Sequence, residues 1–437
     1  MAGIQAPRGM RDILPGEVER WQAIEALIGD LAARFGFREI RTPVVEHTEV
    51  FQRTVGEATD LVEKEMYTFP DRGGRSLSLR PEGTAAVMRA YLEHGLQRGP
   101  QPGKFYYIAP MFRYDRPQKG RYRQHTQFGA EIIGTAEPQA DAEVLILPIR
   151  FLQRIGLTEV EVRLNSLGDQ ACRPRYLTAL REHFGAHVDE LCDDCRRRLE
   201  RNPLRILDCK QEGCHRVAQG APPIFGYLCD ACAAHFEGVK RHFDLAGVRY
   251  ALDSFIVRGF DYYTRTAVEV YSGRLGAQNA MFGGGRYDGL AEQLGGPATP
   301  GVGFGLGLDR VLLVAEQEGL ATSTDRGIDV MVVTIGAKAR DEGFRLVDEL
   351  RARGIRAEGD LLDRAVGAQM KYADRLGADV ALILGEAELA QGTVTFREMA
   401  SGDQLSMPRT VGAIVDALRP RLSRPSPARE GGGGRRR

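Results

Sequence analysis

The residues best suited to chemistry cluster in one stretch, Phe105–Gly134, FYYIAPMFRYDRPQKGRYRQHTQFGAEIIG. Two β-rich runs, Phe105–Tyr114 and Tyr122–Ile133, flank the polar link Asp115–Gly120, the pattern of a hairpin with a longer loop. Gln127, Gly129 and Glu131 fall at alternate positions and so share one face of the second strand. Four residues of strand span roughly 13 Å, about the length of an amino acid joined to a nucleotide phosphate. The missing side chain at Gly129 leaves backbone bare between Gln127 and Glu131, where a ligand would lie. Arg113, Arg116, Lys119, Arg121 and Arg123 set five cations against one acid before the second strand, Asp115. A guanidinium binds phosphate through a planar fork and keeps its charge. A solvated basic hairpin at a sheet edge would carry the same charges, so the run admits both readings.

Other groups stand apart along the chain. Glu82 sits in a tight Pro81-Glu82-Gly83 turn between a strand and a helix, either facing a ligand or capping the helix dipole. Thr84 is placed as the helix cap. Arg258 stands in an apolar strand-like run and needs a partner or a cavity, because a buried unpaired charge is costly. Asp261 is the partner nearest in sequence. Gly283–Asp288 adds another cation and the phenol of Tyr287. Gly301, Gly303, Gly305 and Gly307 strip one face of a strand, which lets a flat ring approach the backbone. This spacing is neither a dinucleotide fingerprint nor a phosphate loop. Arg310 follows in the first turn of a helix, where a cation opposes the dipole and an anionic ligand would explain it. All seven cysteines lie between Cys172 and Cys232. Cys192/Cys195 and Cys229/Cys232 form two C-x-x-C pairs suited to a structural zinc, although the separation between the pairs exceeds the usual ribbon spacing. Reduced, half-buried thiols would read the same way.

Elements must position these groups. Val18–Phe35 carries apolar residues at helical spacing and stops at Gly36; a short strand follows to Arg41 and ends at Pro43. Ser76–Arg80 and Val160–Leu164 read as strands, and about 141–154 and 308–318 as helices. Residues 166–241 change character, rich in Arg and Cys, and read as an insertion. From Ile328, strands and helices alternate, which indicates a small α/β domain with a mainly parallel sheet. The expected organisation is a core over 1–325, joined through a linker at Thr322–Asp325 to an α/β domain over 326–422, with a disordered tail over 423–437.

The chain has 437 residues and a formal net charge of zero, so nucleic-acid contact would rest on local basic patches rather than a global field. No apolar run is long enough to span a bilayer and no apolar signal region opens the chain, so a soluble cytoplasmic protein is expected. An odd cysteine count argues against a purely intramolecular disulfide framework.

Taken together, the segments Pro7–Asp12, Leu79–Thr84, Met111–Glu131, Arg258–Thr264 and Gly303–Arg310 resemble the class II aminoacyl-tRNA synthetases, specifically the histidyl-tRNA synthetase family, over about residues 4–420. Met111–Glu131 is similar to the family's motif 2, Gly303–Arg310 to motif 3, and Arg258–Thr264 to its histidine signature. The resemblance implies an α+β core with an antiparallel sheet flanked by helices, and a C-terminal anticodon-binding domain. It implies a homodimer formed through Val18–Pro43. The implied reaction joins L-histidine to tRNA(His) through a histidyl-adenylate, with ATP and Mg²⁺. Arg113 and Arg258 would be catalytic, Arg113 at the α-phosphate and carboxylate, Arg258 at the charge developing on the α-phosphate. Arg310 would hold the γ-phosphate and Arg121 would assist ATP binding. Glu82, Gly83, Thr84 and Gln127 would surround the α-amino group. Glu131 and Tyr263 would read the imidazole, with Tyr287 lining the pocket and Tyr262 among the histidine-binding residues. Arg116, Gln118 and Arg123 would face the acceptor end of tRNA. Zinc at Cys192, Cys195, Cys229 and Cys232 is not a general family feature.

A different function is conceivable on the same core. A synthetase-like paralogue serves as the regulatory subunit of ATP phosphoribosyltransferase and would bind histidine without making adenylate. That paralogue lacks the C-terminal domain and tends to lose the phosphate-binding arginines. This chain carries a domain from Ile328, and Arg113, Arg258 and Arg310 are all present.

Overall fold

The computed structural model describes residues 4–56, 59, 61–273, 280–320 and 327–422. The chain divides into two compact units, Met1–Thr322 and Ser323–Arg437. The expected linker at Thr322–Asp325 and the tail over 423–437 lie outside the described residues.

In the first unit, α1 (Val18–Arg34) buries Trp21, Ile24 and Ile28 along one stripe, the result of their three-to-four-residue spacing. Gly36, at φ +77°, turns the chain out of the helix, a conformation costly for a residue with a Cβ. There follow β1 (Arg38–Glu39), β2 (Val45–His47), α2 (Thr48–Val55), β3 (Thr68–Pro70), β4 (Ser76–Leu79) and α3 (Thr84–Glu93). The long hairpin is β5 (Gly103–Phe112) and β6 (Gln124–Ile133), followed by α4 (Pro138–Arg154) and β7 (Glu161–Ser166). Helices α5 (Arg173–Gly185), α6 (Asp193–Arg201), α7 (Glu212–Gln219) and α8 (Asp230–Leu245) fill the cysteine-rich stretch. The unit closes with β8 (Ala251–Leu252), β9 (Thr264–Tyr271), β10 (Ala280–Arg286), α9 (Leu290–Gln293), β11 (Gly301–Gly307) and α10 (Leu308–Gln317).

Eight of these strands form one sheet in the order β1-β5-β6-β11-β10-β9-β7-β8, with β2-β4-β3 as a separate small sheet. The central pairings from β5 through β7 are antiparallel, and only the two edge pairs, β1 with β5 and β7 with β8, are parallel. Alternation along the strands gives the sheet two unlike faces. Phe128, Ala130, Ile132, Val302, Phe304 and Leu306 point into a large apolar core with α1, α4, α8 and α10. The opposite face carries Tyr107, with Tyr262, Tyr263 and Tyr287 packed beside Val87, Met88 and Tyr91 of α3. His125, Gln127 and Glu131 of β6 lie on this second face, so the apolar core on the other side gives them a rigid floor.

The second unit contains β12 (Val330–Thr334), α11 (Ala337–Ala352), β13 (Ala357–Gly359), α12 (Val366–Arg375), β14 (Val380–Leu384), α13 (Glu386–Gln391), β15 (Thr393–Glu398), β16 (Gln404–Pro408) and α14 (Val411–Leu422). The order is β13-β12-β14-β15-β16, with the first three strands parallel and the last two antiparallel. It has its own core of Val330, Val332, Leu346, Leu350, Leu382, Phe396 and Ile414. Among the described residues no helix is long and apolar enough to cross a membrane.

Candidate active site

Glu131 is the centre of the polar face. It is fully buried, yet among the described residues no cation pairs with it; three hydroxyls donate to it instead. Tyr287 donates to Oε2 at 2.5 Å, Thr84 to Oε1 at 2.8 Å and Tyr107 to Oε1 at 3.3 Å. Burial raises its pKa from 4.5 to about 8, and the nearby Glu82 adds to the rise, against the hydroxyls that favour the charged form. In the empty pocket the carboxyl therefore keeps its proton near neutral pH, and a ring N–H or a cationic ring entering the pocket would favour its ionised, accepting form.

The glycines of this face have a different use from the one expected of them. A Cβ at Gly303 would fall 1.7 Å from Glu131 Oε2, and one at Gly305 would fall 1.7 Å from Gln127 Nε2. At Gly301 a Cβ would meet the Tyr287 ring at 2.2 Å. Gly129 does not leave backbone bare for a ligand: the Tyr107 ring covers it, and a Cβ there would lie 2.2 Å from Tyr107 Cζ. Gly83 presses on the same ring from the other side, at 2.3 Å. The register explains the pattern, since Gly303 stands opposite Glu131 and Gly305 opposite Gly129. The glycines therefore let the site's own long side chains lie flat across the neighbouring strand. Only Gly307 of the β11 stripe faces open space.

Arg258 is held in the same way, its guanidinium lying over Gly283, where a Cβ would sit 2.3 Å from Nη1. It lies in the loop before β9, not in a strand. Its partner is Glu269, at 2.5 Å from Nη1, and not Asp261, which instead accepts from Asn202 Nδ2 at 3.2 Å. The pairing follows strand geometry: Glu269 and Gly283 are opposite each other in the β9–β10 register. Tyr263 lies under the guanidinium at 5.2 Å. Arg258 Nε, Gln127 Oε1 and the Tyr262 hydroxyl are buried without hydrogen-bond partners. Buried orphans of this kind are rare in a finished core and point to a missing polar ligand.

A second group of cations gathers at the hairpin end. Arg310 donates to Gly120 O at 3.2 Å and Ala280 O at 2.5 Å. Its pKa is lowered by burial first and then by the repulsion of Arg121 and Arg113. Arg113 Nε donates to Pro81 O at 2.8 Å, and its guanidinium lies over Phe260. Arg121 is gripped bidentately by Asp115, at 2.7 and 2.6 Å. His125 shares the face of Gln127 and Glu131. Burial, then Arg113 and Arg310, hold its pKa down at about 3, so it is neutral beside them. Asp115 offsets part of this positive charge, and an anionic ligand would offset more of it.

Glu82 is the capping acid of α3. Its carboxylate accepts from Thr84 N at 2.6 Å and Ala85 N at 2.9 Å. Thr84 is not the cap; Gly83 is the N-cap residue, and the Thr84 hydroxyl is donated to Glu131. Each Glu82 oxygen keeps a lone pair toward the site. In the hairpin loop, Arg116 and Gln118 are exposed, whereas Arg123 lies over Tyr114 at 3.6 Å and donates to Asp115 O.

Residues 9–311 match the family model described as Histidyl-tRNA synthetase, and residues 329–416 match the one described as Anticodon binding domain. A histidine--tRNA ligase of Desulforamulus reducens is 52% identical over 398 residues, 91% of this chain and 95% of that protein. One of Pelotomaculum thermopropionicum is 49% identical over 417 residues, 95% of this chain and 98% of that protein. The chain belongs to the histidyl-tRNA synthetase family. The apo crystal structure of S. aureus histidyl-tRNA synthetase, 40% identical, matches with a TM-score of 0.81 over 95% of this chain and 100% of that one.

Within this histidyl-tRNA synthetase fold, sequence reasoning missed Tyr107, His125 and Glu269. Alternation along β6 would have placed His125 on the site face beside Gln127. Tyr107 and Glu269 depend on cross-strand register, which the sequence does not print. It also missed a buried network behind the site. Arg286 and Asp141 are both fully buried and ion-paired, and Asp141 also meets His235 Nε2 at 3.1 Å. Burial would raise the Asp141 pKa, but His235 and Arg286 outweigh it and hold it down. The network joins α4, α8 and β10 immediately before Tyr287.

The cysteine grouping differs from the expected one. Cys192 and Cys195 do not meet Cys229 and Cys232. The first pair clusters with Cys209 and Cys214, and the second with Cys172 and Asp169. Each C-x-x-C pair opens a separate helix, α6 and α8, so the two pairs are anchored to different elements.

Proposed function

We infer that this chain charges tRNA(His) with L-histidine at the expense of ATP, through a histidyl-adenylate. The observation that carries this reading is the pairing of two subsites on one sheet face. One is Glu131 beneath three hydroxyls, an acceptor at a fixed place for an imidazole N–H. The other is the cation group of Arg113, Arg121, Arg258 and Arg310, suited to a triphosphate. A polar pocket that hydrogen-bonds its substrate rejects analogues lacking that bond far better than an apolar pocket does.

In the first step the histidine carboxylate attacks the α-phosphorus of ATP and pyrophosphate leaves. No covalent enzyme intermediate is required, so positioning and charge stabilisation do the catalysis. In the proposed division, Arg113 and Arg258 contact the α-phosphate and the carboxylate. Glu269 and Gly283 keep Arg258 flat and aimed, and its unpartnered Nε gains an acceptor when substrate binds. Arg310, with Arg121 locked by Asp115, holds the outer phosphates. Gln127 Oε1 and the free lone pairs of Glu82 accept from the α-ammonium, with Gly83 and Thr84 closing that end. Glu131 reads the ring, and Tyr262, Tyr263 and Tyr287 wall the pocket. Mg²⁺ would accompany ATP and neutralise charge on its phosphates. In the second step a hydroxyl of the terminal adenosine of tRNA attacks the acyl carbon, the anhydride bond to phosphate breaks and AMP leaves, near exposed Arg116 and Gln118, with Arg123 bracing the loop.

The C-terminal unit is proposed to dock the anticodon, and the chain to work as a homodimer through 18–43. The stripe of α1 is already buried within the chain, so pairing would use its outer side and the exposed Val44 and Val45 nearby. ATP–pyrophosphate exchange across the twenty amino acids, followed by charging of tRNA(His), tests the activity. Exchange supported by another amino acid better than by histidine would overturn it. A fully active monomer at micromolar concentration by sedimentation would overturn the dimer.

A further inference from the structure

The cysteines take no part in the reaction, yet the fold gathers all seven into two compact sets. Cys192, Cys195, Cys209 and Cys214 place four sulfurs within 4.8 Å of one another, and Cys172, Cys229 and Cys232 do the same with a carboxylate oxygen of Asp169. We propose that these are two mononuclear zinc sites, one with four thiolates and one with three thiolates and a carboxylate.

The distances fit the metal. A tetrahedral zinc with Zn–S near 2.3 Å sets its sulfurs about 3.8 Å apart, and with Zn–O near 2.1 Å sets sulfur and oxygen about 3.6 Å apart. Cys192 Sγ and Cys209 Sγ are 4.0 Å apart. Cys172 Sγ and Cys229 Sγ lie 3.6 and 3.9 Å from the same oxygen, Asp169 Oδ1. These separations are far beyond a disulfide, which needs about 2.05 Å, and all seven thiols are free. Apolar packing explains buried cysteines but not a carboxylate aimed at three of them. Soft thiolates in a closed tetrahedral set favour zinc over oxygen-seeking cations.

The surroundings also match. Each C-x-x-C pair sits at a helix N-terminus, Cys192 before α6 and Cys229 before α8. Backbone N–H groups already donate to sulfur: Cys192 N to Cys214 Sγ at 3.2 Å, and Asp169 N to Cys172 Sγ at 3.4 Å. Arg265 Nη2 lies 3.5 Å from Asp169 Oδ2, an outer partner that would orient the ligating carboxylate.

Both sites adjoin the segment that carries Arg258 and Tyr263. Val257 packs in the same cluster as Cys195, Cys209 and Cys214, and Arg205 donates to Arg258 O at 3.2 Å. At the other site, Arg173, next to Cys172, donates to Tyr263 O at 2.6 Å and Gly168 O at 3.3 Å. The metals would fasten the helical insertion to the segment that carries the catalytic arginine.

The test is elemental analysis of the full chain produced with zinc available, with X-ray absorption at the zinc edge. The expected result is about two zinc per chain, with a mean shell of about 3.5 sulfurs and 0.5 oxygen. Cys209→Ser and Cys172→Ser should each remove one zinc, and the remaining shells should differ, with the oxygen lost only in Cys172→Ser. Less than about 0.2 zinc per chain would overturn the assignment, as would one zinc abolished by either variant. Iron with visible absorbance would replace it with a cluster. Should a variant fail to fold, the wild-type shell still decides: a single zinc with only sulfur overturns the two-site assignment.

Discussion

Replacing Glu131 by Gln keeps the shape of the side chain and removes its proton. The folded protein raises this carboxyl from 4.5 to about 8, which at about 1.4 kcal/mol per unit amounts to roughly 5 kcal/mol. The sign follows from where the proton sits. Below pH 4.5 both folded and unfolded chains hold it, and nothing is lost. Between about 4.5 and 8 the unfolded chain releases it while the folded chain keeps it, so stability falls as pH rises. Above 8 the whole penalty is present. His125 acts in the opposite sense lower down: its pKa is depressed to about 3, so stability falls as pH drops from 6.5 toward 3. Only a difference between wild type and variant isolates Glu131. Trp21 is the single tryptophan and is buried in α1, so its fluorescence in urea reports unfolding of the first unit alone. From pH 5.5 to 7.5, Glu131→Gln should gain roughly 3 kcal/mol relative to wild type. Its histidine-dependent exchange should nevertheless fall about 10²- to 10³-fold, as for loss of one preorganised polar contact. A stability difference that stays flat across this range would refute the reasoning, because Glu131 would then titrate normally in the fold.

Arg258→Ala should reduce pyrophosphate exchange by about 10²- to 10³-fold in a folded protein; unchanged exchange would remove Arg258 from the chemistry. Gly303→Ala puts a Cβ 1.7 Å from Glu131 Oε2 and should raise the histidine KM by about tenfold or more with little effect on the ATP KM, since misplacement by about 1 Å is costly; equal changes in both constants would contradict the local account. Asp141→Ala takes one of two carboxylates from the buried Arg286, leaving Asp288 at 3.0 Å and the carbonyl of Thr135 at 2.9 Å, and should cost about 1.5–3 kcal/mol of stability by the same Trp21 assay; a loss under about 0.5 kcal/mol would show that the remaining partners suffice. Removal of residues 326–437 should leave histidine activation intact and sharply reduce tRNA charging, because the described site lies before residue 311 and the first unit has its own core; full charging by the truncated chain would take the anticodon role from the C-terminal unit.

Much of this was legible in the sequence because period-two alternation states which residues share a face. Gln127 and Glu131 are together for that reason, and strand–helix alternation marked the C-terminal unit. Alternation says nothing about what crosses from the next strand. The glycines at 129, 303 and 305 therefore looked like room for a ligand, when the register fills that room with Tyr107, Glu131 and Gln127. Arg258 was matched to Asp261 by nearness along the chain, although its partner Glu269 is set by the strand that follows. Glu82 stayed ambiguous because one carboxylate between a strand and a helix can cap or bind. The C-x-x-C spacing marks only two of the ligands in each set; Cys209, Cys214 and Cys172, which carry no motif, complete the two sets.

The flat seating of these side chains has an evolutionary consequence. Each proposed reader of the substrate, and Tyr107 beside them, occupies space granted by a glycine of another segment: Glu131 by Gly303, Gln127 by Gly305, Arg258 by Gly283, Tyr107 by Gly83 and Gly129. A mutation at any of these glycines acts on the reader by proxy, and a smaller reader would leave a slot that only a new side chain from the glycine position could fill. Specificity in this pocket is therefore written in pairs of positions drawn from different strands. A lineage changing its amino acid would have to alter both members of a pair, and every single-step intermediate would carry either a clash or a hole.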